Sequence, residues 1–163
     1  MPSFDLVSKL DMGEMKNVVN MAQKQLQARY DFKGSNASFD LKESVIEIKA
    51  EDETKMRAAL DILRTQMAKR NIGMKSMEVG EVEPSGNRMY KQELKLKMGI
   101  DKENGKLINR LVKDSKSKVT SAYMDEKIRL TSKNIDDLQE MYRMLREHEE
   151  VKIDLQMENM KRD

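Results

Sequence analysis

Three short runs hold the side chains of this sequence best suited to chemistry: Arg29-Tyr30-Asp31-Phe32-Lys33-Gly34, Lys91-Gln92-Glu93-Leu94-Lys95-Leu96-Lys97 and Lys113-Asp114-Ser115-Lys116. The chemistry is anion holding. A guanidinium grips a phosphate or a guanine edge with two parallel hydrogen bonds, and an ammonium adds a compact point charge. Arg29, Lys33, Lys91, Lys95, Lys97, Lys113 and Lys116 are therefore candidate phosphate contacts, and Asp31 is a candidate acceptor for the N–H groups of a guanine edge. Lys91, Lys95 and Lys97 share one side of a strand by period two, each two-residue step advancing about 6.8 Å. Such a row suits successive phosphates; it equally suits an exposed edge strand guarded by lysines against aggregation. Tyr30 is expected to pack beneath a helix end, and Gly34 to turn the chain.

Signals for catalysis are poor. The single histidine, His148, stands among acidic neighbours at a helix end, and no phosphate loop, GxGxxG or nucleophile elbow is present. Asp136-Asp137 and Glu149-Glu150 are sequence neighbours, which on a helix point about 100° apart and cannot share a proton as a dyad. With no cysteine, disulfides, thiolate metal sites and thiol catalysis are excluded. No cofactor motif is present, and the chain reads as a binder rather than an enzyme. No apolar run nears the roughly 20 residues of a membrane span, and the start lacks a basic-then-apolar leader, so a cytoplasmic location is expected. Net charge is only +2, yet residues 88–118 carry ten Lys and Arg against four acidic residues. A local field of that kind marks an anion site for a nucleotide, or for the backbone of RNA or DNA.

The elements that must position these residues follow from periodicity. Phe4, Leu6 and Leu10 open a strand, and Asp11-x-x-Glu14 reads as a capping box before an amphipathic helix over 12–30. Phe39 and Leu41, then Ile46 and Ile48, alternate in two short strands. Asp52 caps a second helix, and a strand follows over 74–79. Residues 80–88, with Pro84, Gly86 and Asn87, read as a linker. The order then repeats: a strand over 90–98, a helix opened by Asp101, a hairpin about Asp125-Glu126, a helix striped by Ile135, Leu138, Tyr142 and Leu145, and a strand over 151–157. Both halves read βαββαβ. The predicted fold is α+β, with two tandem ferredoxin-like domains at 1–79 and 89–163 joined by 80–88. The outward positions of these strands carry no aromatic residue, which argues against bases stacking on a sheet face.

Six stretches together resemble the YajQ family of bacterial nucleotide-binding proteins across nearly the whole chain: PSFDLVS at the start, RYDFKG at 29–34, KQELKLKMGI at 91–100, KLINRLVKDSKSKV at 106–119, IRLTSKNIDDLQ at 128–139 and LQMENMKRD at 155–163. The chain departs from the family's pattern at Met98, Ser132 and Ile135 and in its Met-containing ending. The resemblance implies two ferredoxin-like domains with exchanged first strands, so that the strand at 3–10 pairs in the second half and that at 90–98 in the first. It implies a nucleotide ligand, a guanine nucleotide or cyclic di-GMP, and no enzymatic activity. Association with RNA or DNA and a transcription-related protein partner are further implications.

Overall fold

The computed structural model describes residues 1–163. Its elements run β1 (Ser3–Val7), α1 (Met12–Ala28), β2 (Ser38–Lys42), β3 (Val45–Ala50), α2 (Glu53–Lys69), β4 (Met77–Gly86), β5 (Met89–Leu96), α3 (Lys102–Asp114), β6 (Thr120–Met124), β7 (Lys127–Thr131), α4 (Ile135–Glu147) and β8 (Gln156–Lys161). No helix is long and apolar enough to cross a membrane.

Two four-stranded antiparallel sheets form, ordered β2-β3-β5-β4 and β6-β7-β1-β8. This is the βαββαβ pattern twice over with the first strands exchanged, as expected: β1 lies between β7 and β8, and β5 between β3 and β4. The chain divides into two compact units on the same plan. Residues 10–97 form one, and residues 1–9 with 98–163 form the other.

In the unit of residues 10–97, one face of the sheet buries Phe39, Ile46, Ile48, Leu94 and Leu96 against Met15, Val18, Ala22 and Leu26 of α1 and Met56, Leu60, Leu63 and Met67 of α2. Asp11 and Asp52 each accept from a backbone amide three residues on, which holds the first turn of each helix. Only half of the capping box forms, because Glu14 turns to Arg70 instead of reaching back. Residues 80–86, read from sequence as linker, lie in the distal part of β4. There the register with β5 slips between Val79 and Val82, and Gln92, buried on β5, donates to the Gly80 carbonyl at 2.9 Å. The Pro and Gly residues thus accommodate a bulged edge strand.

In the other unit, Phe4 and Leu6 of β1 and Ile128 and Leu130 of β7 meet Ile108, Leu111 and Val112 of α3 and Leu138, Met141 and Leu145 of α4. The alternation at Val151, Ile153 and Leu155 is real as burial but not as a strand. These side chains enter the core from an unpaired segment, and pairing with β1 starts only where Gln156 meets Val7.

Candidate functional site

The Arg29–Gly34 run leaves α1 through a single 3-10 turn at Tyr30–Phe32. Arg29 forks onto Asp31, its Nε and Nη2 donating to the two carboxylate oxygens at 3.0 and 2.8 Å, and its guanidinium lies over the Phe32 ring at 5.7 Å. Gly34 takes a left-handed conformation at φ +76°, which only glycine adopts without strain. The aromatic assignments divide. Phe32 is 4% exposed and fills the core, whereas Tyr30, expected to pack under the helix end, is 89% exposed. A 3-10 turn sets consecutive side chains about 120° apart, so a buried Phe32 leaves Tyr30 in solvent. Lys33 is exposed as well, its backbone N–H donating to the Tyr30 carbonyl.

The lysine row sits in an inner strand, not an edge. On β5, Lys91 faces Lys49 of β3 and Glu83 of β4, Glu93 faces Glu47, and Lys95 faces Glu78. Like charges thus stand directly opposite across β3 and β5, an unfavourable pairing. It is relieved along each strand, Lys49 toward Glu47 at 3.7 Å and Lys91 toward Glu93 at 3.8 Å. Lys91 and Lys95 line a shallow cavity of about 250 Å³, together with Glu78, Glu81, Glu83 and Glu93. Four carboxylates against two ammonium groups make this a zwitterionic surface. Lys97 follows the end of β5, its backbone N–H donating to the Ser76 carbonyl.

Lys113 and Lys116 belong to the other unit, at the exit of α3. Lys113 stands in the last helical turn, where a cation complements the helix dipole. Lys116 turns the chain with a positive φ of 56°. The six remaining candidates, Arg29, Asp31, Lys33, Lys91, Lys95 and Lys97, all lie in the unit of residues 10–97.

Just beyond the α3 exit is a larger feature built by strand register. Thr120 pairs with Thr131, Thr131 with Ser3, and Ser3 with Lys161, so one end of every strand of this sheet falls on a single row. The residues immediately past that row, Pro2, Lys118, Ser132, Lys133 and Arg162, line an open groove of about 900 Å³ with the first turn of α4. Lys133 and Arg162 fall outside the basic stretch of 88–118. Charge counting along the chain passes over them, and only the register brings them to Lys118.

The open face of the same sheet carries a polar network. Asp5, 7% exposed, accepts from Arg129 Nε and Asn159 Nδ2, both at 3.0 Å; Asn159 reaches it from a left-handed bulge residue of β8. Burial alone would raise the Asp5 carboxyl pKa, but these two hydrogen bonds and the charges of Arg129 and Lys127 together outweigh it and hold the group below its ordinary value. Lys9 and Lys127 lower Glu158 in the same direction. Glu51, also desolvated, is lowered by hydrogen bonds from the Ser35 hydroxyl and the Asn36 amide. No group of three or more His, Asp or Glu side chains is arranged to hold a metal ion.

Comparison with known proteins matches residues 2–161 to the family model for YajQ-like nucleotide-binding proteins. Among curated relatives, a protein of Geobacter sp. strain M21 is 43% identical over 161 residues, covering 99% of both chains. One from Desulfitobacterium hafniense strain DCB-2 is 43% identical over 157 residues, covering 96% of both. One from Cytophaga hutchinsonii is 46% identical over 163 residues, covering 99% of this chain and all of its own. All three are named nucleotide-binding proteins. With this match spanning both compact units, the chain belongs to the YajQ family.

Proposed function

We propose that this chain is a non-catalytic nucleotide receptor that holds its ligand by the phosphates through exposed Lys and Arg side chains, with guanine nucleotides, cyclic di-GMP among them, as the ligand class. The observation that carries the reading is the full-length match to relatives named nucleotide-binding proteins.

Among the candidate cations, surroundings favour the exit of α3. Arg29 is forked to Asp31, and Lys91 and Lys95 are offset by the glutamates of β4 and β5. Lys113 and Lys116 are exposed at a basic turn; Lys33 is exposed, and so is Tyr30, whose ring offers a base a face to stack on. The test is isothermal titration with GTP, cyclic di-GMP and a short RNA, at about 50 and 200 mM salt. Saturable binding of one small nucleotide with a shallow salt slope is expected, weakened about tenfold by Lys113→Glu/Lys116→Glu, the loss of one or two charge-assisted bonds. Binding of RNA alone, collapsing with salt at a log–log slope of about −0.7 per phosphate on single strands, would replace the receptor reading with a nucleic-acid-associated protein.

A further inference from the structure

The groove beyond the strand ends of the β6-β7-β1-β8 sheet gives the nucleotide reading a specific seat. We propose that it takes the phosphate group of a nucleoside mono- or diphosphate, with Lys118, Lys133 and Arg162 as cations and the Ser132 hydroxyl as a donor. The inference rests on the nucleotide reading above and offers the groove as the phosphate seat in place of the turn at Lys113 and Lys116.

Three observations converge. Lys118 precedes β6, Lys133 follows β7 and Arg162 follows β8; the aligned strand ends bring these three exposed cations to one groove. The groove, at about 900 Å³, falls within the roughly 300–1,000 Å³ of small-molecule sites. At its wall, Ser132 is 1% exposed; its Oγ accepts from the Asn134 N–H at 3.3 Å, leaving the hydroxyl proton to give. A phosphate oxygen in the groove would give that proton a charged acceptor.

The same lining limits the ligand. Asp136 and Asp137, in the first turn of α4, face the groove, so three cations meet two carboxylates. A polyphosphate chain or nucleic-acid backbone would bring more charge than that excess can neutralise. One or two phosphates leave the least charge uncompensated. The carboxylates also oppose the dipole of α4, so selectivity for an anion here rests on the side-chain cations and Ser132.

The experiment is isothermal titration of the chain of residues 1–163 with GDP, with cyclic di-GMP and with inorganic pyrophosphate. The proteins are the wild type, Lys133→Glu/Arg162→Glu, Ser132→Ala, and Lys16→Glu/Lys24→Glu on the exposed side of α1 as a charge-reversed control, each checked by circular dichroism for an unchanged melt. Pyrophosphate should compete with GDP for one site. The groove pair should lose at least about tenfold in affinity for GDP and for pyrophosphate, and Ser132→Ala about tenfold, as expected for two charged contacts and for a hydroxyl donating to an anion. The control should stay within about twofold, as for surface charge changed away from a site. If GDP binds the wild type and the groove variants alike, the phosphates sit elsewhere; the inference falls and the nucleotide reading stands. If neither GDP nor cyclic di-GMP binds the wild type, the nucleotide reading itself is overturned, and the inference with it.

Discussion

Asp5 shows at the scale of one residue how alternation and structure part company. On β1 it occupies the outward position between Phe4 and Leu6, where a solvated charge is the ordinary expectation, yet it is nearly buried under Arg129 and Asn159. Its folded pKa is lowered from an ordinary 3.8. The stability it supplies is therefore fully present above that value and is lost as pH falls through the lower, folded value. Asp5→Asn should cost about 1–2 kcal/mol near neutral pH, discounted for the half-exposed Arg129. An asparagine carries one carbonyl oxygen, so it satisfies Arg129 or Asn159 but sets an NH2 against the other. Urea melts of both proteins at about pH 7 and about pH 3 should show the wild type losing more stability between the two than the variant. Equal losses would mean that Asp5 titrates as it does unfolded. None of this could be read in sequence, because Arg129 and Asn159 lie more than 120 positions away and reach Asp5 only through strand pairing. Tyr30 is the local counterpart. Both aromatics of its run suited a packed helix end, and the 3-10 turn that separates them has no sequence period to announce it.

Elements were more legible than the residues between them. The apolar stripes of all four helices and the aspartate caps at 11, 52 and 101 are where periodicity and cap chemistry put them, since both arise within a few neighbouring residues. The β4 extension through Pro84 was hidden because a bulged edge strand tolerates the residues that usually mark a turn. Gly105 was hidden for a different reason. It lies inside α3, where glycine costs about 1 kcal/mol relative to alanine, and no local pattern calls for it. A Cβ there would stand 2.6 Å from Cδ1 of Tyr123 on β6. That ring cannot easily swing aside, because its hydroxyl donates to the Ile100 carbonyl at 2.7 Å. Gly105→Ala thus sets a propensity gain of about 1 kcal/mol against overpacking of about 1–3 kcal/mol, and overpacking should win. Thermal unfolding of Gly105→Ala should show a lowered midpoint in the wild-type background and an unchanged or raised one in Tyr123→Ala. Destabilisation of the same size in both backgrounds would place the cause elsewhere than the ring.

Across the whole molecule, strand exchange decides which parts of the chain can stand alone. Residues 10–97 are continuous and contain all four strands of one sheet, including β5 at its centre, with both helices that cover it. The other unit is discontinuous: residues 98–163 lack β1, the strand between β7 and β8, and with it Phe4 and Leu6 of the core. The repeat seen in sequence suggests a cut within 80–88, yet that cut separates β4 from β5 and leaves β1 without either partner strand. A fragment 10–97 should therefore unfold cooperatively in urea and give a dispersed amide spectrum. Fragments 1–88 and 98–163 should not, because each loses a central strand and its apolar contacts together. A peptide of residues 1–9 added to 98–163 should restore structure, since it returns two paired edges and the buried side chains that pin register. A cooperative transition in 1–88 would mean that the sheets do not depend on the exchanged strands, and its absence in 10–97 would mean that this unit does not stand alone. The groove proposed for phosphate makes the same dependence functional. Pro2 lines it just ahead of β1, while Lys118, Lys133 and Arg162 come from the C-terminal part of the chain. A binding assay on 98–163 with and without the peptide would thus report on the fold and the site at once.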